Sequence, residues 1–242
     1  MLQRIEGWNR SHLETRPGDS RLEARIRNYE LAFRMQMAAP ELIDLSGEPE
    51  HVKRMYGLDR DQTRKFGRMC LLARRMVERG VRFVHLYSGG WDAHGECDKN
   101  HMKNSWKTDQ PMAALLEDLK QRGLLESTLV ISTGEFGRTP VMQGKEGRDH
   151  NPFGFSAWMA GGGVRGGQAI GATDDLGFVA VEDKMHVNDL HASMLGLMGL
   201  DHRRLTYFFQ GLDRRLSGVG EAGEAGEDLY RKLTGRSIGH SS

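Results

Sequence analysis

The residues best suited to chemistry fall in three short polar clusters. The first is Trp91-Asp92-Ala93-His94, inside the stretch GGWDAHGECDKNH at 89–101. The second is GEFGRTP at 134–140, which carries Glu135 and Arg138; the third is GRDHNP at 147–152, which carries Arg148 and His150. Asp, Glu and His offer oxygen and imidazole donors without sulfur. That set suits Zn²⁺ or Mn²⁺ and, with fewer histidines, Mg²⁺ or Ca²⁺. Asp92 and His94 are separated by a single residue, so at a turn or strand end both can point into one cavity. A hard cation there could polarise a phosphoryl or sulfuryl oxygen, or acidify a bound water. Arg138 and Arg148 could grip the oxyanion with their forked donors. Each cluster also has a plainer use: Asp caps a turn, His is solvated, Glu pairs with a cation, and GRDH forms a surface ion-pair group.

Metal chemistry needs the clusters to converge, and the surrounding elements suggest how. DQTRKFGRMCLLARRMVERG reads as an amphipathic helix from Asp61 to a terminal Gly80. VRFVHLYSGG follows as a strand. A helix capped at Thr108 or Asp109, with Pro111 in its first turn, runs to Gly123. TLVISTGEFG is a second strand and FSAWMAGGG a third, and GQAIGATDDLGFVAV reads as a turn-linked pair of strands. The alternation of helix and strand predicts an α/β fold: a mostly parallel sheet flanked by helices. In such sheets ligands bind beyond the carboxyl ends of the strands, where the three clusters would meet. VNDLHASMLGLMGL predicts a further helix with Asp189 near its cap; His191 and His202 beside it read as structural.

The organisation expected is a helical segment at 1–60 packed on the core, an α/β core at 61–217, and a low-complexity tail at 218–242. The tail repeats GEA and reads as loose, with DLYRKL a short closing helix. Net charge is +1 from 34 basic and 33 acidic residues, so no global pull toward nucleic acid or a membrane surface is expected. No apolar run reaches the roughly 20 residues of a membrane span. The N-terminus has no apolar stretch of signal-peptide type. Cys70 and Cys97 form no CxxC pair; Cys70 reads as a buried thiol in a helix. The triple glycine of AGGGVRGG lacks both the dinucleotide fingerprint and the Lys-Ser/Thr of a phosphate loop, and reads as a turn.

The order of motifs resembles the C-terminal half of the sulfatase and alkaline phosphatase superfamily. There a metal-ligand loop precedes a helix and a strand of the type ESTLVISTGEFG, and VNDLHASMLGLMGLD is similar to a later helix. The resemblance is closer to one bacterial branch, the domain-of-unknown-function 1501 family. It is carried by YELAFRMQ, CLLARRMVERGVRFV, GGWDAH, GEFGRTP, GRDHNP, AGGG and DLHASMLGLMGLD, over about residues 21–216. It implies an alkaline-phosphatase-like core whose first strand and nucleophile-bearing helix lie outside this chain.

Asp92, His94 and His150 then stand as ligands of one divalent metal. Glu135 stands at a second site or as general base, and Phe136 falls where the superfamily has a histidine ligand. The implied function is a metal-dependent hydrolase of small-molecule or polysaccharide sulfate or phosphate esters, incomplete in this chain. The alternative is an inactive binding or assembly module. A sheet lacking strands would leave an exposed face, which the N-terminal helices or a homo-oligomer could cover. Full-length relatives are often exported.

Overall fold

The computed structural model describes residues 2–218 and 225–237. By contacts the chain divides into two compact units, Met1–Val52 and Lys53–Ser242. The first holds α1 (Leu2–Glu14) and α2 (Ser20–Ile43). Asp19 caps α2, its carboxylate accepting from the backbone amides of Arg21 and Leu22 at 3.1 and 3.0 Å. None of the described residues of α2 is buried; Tyr29, Leu31, Met35 and Met37 are exposed. The short α3 (Glu50–Met55) spans the division.

The second unit is anchored by two long helices, α4 (Asp61–Glu78) and α5 (Cys97–Gln121). Their apolar faces bury Cys70, Leu71 and Ala73 on one side and Ala114 and Leu119 on the other. Burial pushes the Cys70 thiol pKa up to about 12, so it is an inert core group. An ionic network stitches the pair. Asp118, 2% exposed, lies 2.9 Å from Arg74 Nε and 2.6 Å from Arg122 Nε, and accepts from the Tyr56 hydroxyl at 3.0 Å. Glu78 pairs with both Arg74 and Arg122. Burial, followed by the charge of Asp118, raises the Tyr56 pKa well beyond its ordinary value.

The parallel sheet expected from the sequence does not form. The described residues hold only four separate antiparallel two-stranded ladders. β1 (Val130–Thr133) pairs with β4 (Ala157–Ala160), Val130 opposite Ala160 and Thr133 opposite Ala157. β2 (Gly137–Gln143) pairs with β3 (Gly147–Asn151), β5 (Ala172–Thr173) with β6 (Ala180–Glu182), and β7 (Thr206–Phe209) with β8 (Leu212–Arg215). The β5–β6 hairpin is the turn-linked pair the sequence suggested. The glycines of AGGG serve packing: Gly161 and Gly162 have positive φ and lie against the backbone of Leu125, Thr128 and Leu129.

The segment VRFVHLYS shows why the sheet fails. It is extended, yet residues 82–88 make no backbone–backbone hydrogen bond among the described residues. Its side chains alternate as a strand's do. Phe83, His85 and Tyr87 are exposed and meet as neighbouring rings, while Val84 and Leu86 are half-buried. Alternation records which face a residue takes, but a sheet also needs a neighbouring strand to accept its hydrogen bonds.

One helix, α5, differs from expectation, and the closing helix expected around DLYRKL is present. Helix α5 begins at Cys97, well before Thr108, and carries Pro111 inside it, so the last five residues of GGWDAHGECDKNH are helix. Part of the tail is ordered: α7 (Ala225–Thr234) packs on α6 (Val187–Leu197), burying Leu229 and Leu233, with Ser193 Oγ donating to the Gly226 carbonyl at 2.8 Å. Residues 219–224, which hold all but the last residue of the GEA repeat at 220–225, and the end of the tail at 238–242 lie outside the described residues. Helix α6 starts in a capping box between His186 and Asp189.

Candidate metal centre

The second and third polar clusters are not separate loops at sheet ends. They are the two strands of one hairpin, β2–β3, with Arg138 directly opposite His150. The loop carrying Asp92 and His94 lies along this hairpin. The Arg148 amide donates to the Ala93 carbonyl at 3.0 Å, and the Cys97 amide donates to Glu146 at 2.8 Å. Gly147 permits the approach: a methyl there would overlap the His94 backbone carbonyl. Asn151, 3% exposed, secures the far end of β3. Its amide donates to the Gly177 and Phe178 carbonyls at 3.3 and 3.0 Å.

This frame brings Asp92, His94 and His150 together. His94 Nε2 is 3.0 Å from Asp92 Oδ1, His150 Nε2 is 3.1 Å from the same oxygen, and the two nitrogens are 3.2 Å apart. These donor atoms fit one small divalent cation. With metal–ligand bonds of about 2.1 Å, neighbouring ligand atoms lie roughly 3.0 Å apart in an octahedron and about 3.4 Å in a tetrahedron. The observed edges fall between those limits. The side chains keep 64%, 43% and 43% of their surfaces exposed, so one face of the set is open to solvent.

Three nitrogens gather on Asp92 Oδ1, because Arg138 Nη2 also lies 2.9 Å from it. Hydrogen bonding to His150 and then Arg138, with the charge of His94, holds the Asp92 carboxyl below the usual carboxylate range. Arg138 donates in addition to the Trp91 carbonyl at 3.2 Å. It therefore braces the loop from behind. Arg148 meets the loop through its backbone. Glu135 is exposed and is not among the grouped donors. Phe136, which replaces a ligand in the resemblance, stacks on His150 with ring centroids 4.2 Å apart.

Two contributors were given no role in the sequence reading, although Asn151 lies in the GRDHNP cluster. Gln143 meets His94 Nδ1 at 2.7 Å, and Asn151 fixes the strand end. The signal that could have found Gln143 is the glycine-flanked GKEG between two β-capable runs, a hairpin signature that sets 143 opposite 147.

The profile of a family described as "Protein of unknown function (DUF1501)" matches residues 1–225. No curated protein matches the chain, and no solved structure does.

Proposed function

This chain belongs to the DUF1501 family, and we propose that its Asp92, His94 and His150 hold one divalent cation, zinc or manganese, at a centre that acts on sulfate or phosphate esters. The observation that carries the reading is the mutual spacing of the three donor atoms, 3.0 to 3.2 Å, on an exposed face. Three protein ligands with an open side are the pattern of catalytic rather than structural sites. Two imidazoles among three donors favour zinc or manganese over magnesium or calcium. A cation bound there supplies a Lewis acid for a phosphoryl or sulfuryl oxygen and lowers the pKa of a coordinated water.

The chain's own residues have separate tasks. Asp92 contributes the negative charge that retains a dication. Arg138 orients that carboxylate and keeps positive charge behind it. Phe136 walls one side of His150 and leaves no ligand for a second ion at its position, so a single-metal centre is the reading. Glu135, next to Phe136, is the candidate general base, and the Arg148 side chain the candidate oxyanion partner.

The test is elemental analysis of the purified chain, followed by assays on aryl sulfate and aryl phosphate esters with and without chelator. Bound metal with chelator-sensitive turnover supports the hydrolase. Bound metal without turnover on any ester supports the alternative, a binding or assembly module that keeps the centre. His150→Ala should lose most of its metal while retaining its circular dichroism spectrum. A wild-type chain that takes up neither zinc nor manganese would end the metal reading.

A further inference from the structure

We propose that Gln143 is a positioning residue for this centre. Its side-chain oxygen accepts a hydrogen bond from His94 Nδ1–H and so fixes the tautomer whose Nε2 lone pair faces the cation. The purpose of the device rests on the metal reading above.

The argument starts from proton counting. A neutral imidazole has one N–H, and the other nitrogen is an acceptor. His94 Nδ1 lies 2.7 Å from Gln143 Oε1, and because an amide oxygen only accepts, this contact is a hydrogen bond when Nδ1 carries the proton. His94 Nε2 is then a lone pair, 3.0 Å from the Asp92 carboxylate oxygen and 3.2 Å from His150 Nε2. In the neutral ring, an acceptor facing a carboxylate at that distance is favourable only with a cation between them, and a bound dication keeps the ring neutral because it occupies the Nε2 lone pair. The geometry that is awkward for neutral hydrogen bonding is the one metal ligation requires.

The fold explains why Gln143 can do this. It ends β2, directly opposite Gly147. Gly147 is the residue whose missing side chain lets the hairpin lie on the His94 backbone. The same hairpin carries His150 on β3. One rigid ribbon thus presents a ligand from one strand and the orienting group for the opposing ligand from the other. His150 is steadied by a different means, the Phe136 ring at 4.2 Å. Each imidazole has its own non-ligating support.

The experiment uses the full chain labelled with ¹⁵N-histidine, metal-free, at a pH where the ring ¹⁵N shifts themselves report the neutral imidazole. The His94 resonances are identified by their loss in His94→Asn. The wild type should show an Nδ1–H tautomer. Gln143→Leu should move the proton to Nε2 and weaken Zn²⁺ binding about 10- to 100-fold, the usual effect of removing such a partner. Gln143→Glu, which also accepts from Nδ1–H, should restore both. Gln143 is exposed, so its variants should fold, and circular dichroism checks this. An Nε2–H tautomer in the wild type overturns the proposal, as does a Leu variant that binds Zn²⁺ like wild type. A wild type with Nδ1–H that fails to bind Zn²⁺ supports the role of Gln143 in setting the tautomer and sinks the metal reading alone.

Discussion

Gly147→Ala is the substitution that most directly tests how the hairpin builds the candidate centre. Neither the glycine nor its neighbours in sequence donate to the grouped atoms through side chains, except His150 three residues on. A β-carbon at 147 would overlap the His94 carbonyl by more than about 1 Å relative to ordinary van der Waals contact, and lie 2.8 Å from the Gln143 carbonyl. Both obstacles are backbone, so no side chain can swing aside. Gly147 does not have a positive φ, so alanine is acceptable to the local backbone and the cost is purely steric.

Relief must come from parting the 92–94 loop from the hairpin by about 1 Å, whereas metal ligation tolerates only about 0.2 Å. Because His94 sits on the loop and His150 on the hairpin, that parting opens the donor set. We expect metal affinity to fall on the order of 100-fold, the scale of a 1 Å misplacement at a reacting centre. Global stability should fall only by about 1–3 kcal/mol, as for other overpacking changes. Competition against a chromophoric chelator reads the affinity, and urea unfolding reads the stability. A metal-independent measurement is hydrogen exchange of the Arg148 amide, which should quicken as its bond to Ala93 weakens. Gly95→Ala is the control, since a methyl there would stand 3.9 Å from the Lys145 carbonyl. Wild-type affinity and unchanged Arg148 exchange in Gly147→Ala would refute the claim that the hairpin sets the loop.

Two further predictions concern stability. Asp118→Ala leaves the buried Arg74 guanidinium with one anionic partner fewer and strands the Tyr56 hydroxyl, so it should cost about 3–5 kcal/mol in urea unfolding; a loss below about 1 kcal/mol would mean the network does not hold α4 to α5. His202, 3% exposed and bonded through Nδ1 to Ser217 Oγ at 2.9 Å, has its pKa lowered by burial and by the charge of Arg203. The unfolded chain therefore takes up a proton that the folded chain resists, and stability should drop as pH falls through the ordinary imidazole value of about 6.5. Thermal melts between neutral and mildly acidic pH should show that fall, and His202→Gln should flatten it; an unchanged slope would remove His202 as the cause.

How much of this was legible in the sequence depends on the range of each interaction. Asp92 and His94 could be read as a pair because a one-residue spacing is local. The capping of α6 by Asp189 and the amphipathic stripe of α4 are local too, and both stand in the structure. His150 was associated with them through a parallel sheet that does not form and through a resemblance, because the register that sets it opposite Arg138 is a property of a hairpin, and the 138–152 region read as two loops. The start of α5 was missed for a related reason. Thr108, Asp109 and Pro111 form a good start signal, but Asn104 is bound to the Gly90 carbonyl and Thr108 to the Asn104 carbonyl, so the helix runs on through them. A start signal states where a helix can begin, and tertiary contacts decide whether it has begun already.

The failed sheet and the assembled donor set therefore have one explanation. VRFVHLYS has the composition and alternation of a strand, but pairing requires hydrogen-bonding neighbours that the described residues do not supply. Loop 92–94 follows that segment directly and so cannot inherit its position from a sheet edge. It is positioned instead by the amides of Arg148, Glu96 and Cys97, all of which tie it to the β2–β3 hairpin or its turn. The donor set thus survives the loss of the parallel sheet because its geometry is determined by a short antiparallel ribbon, closed across Gly147, whose two strands carry Arg138, Gln143 and His150.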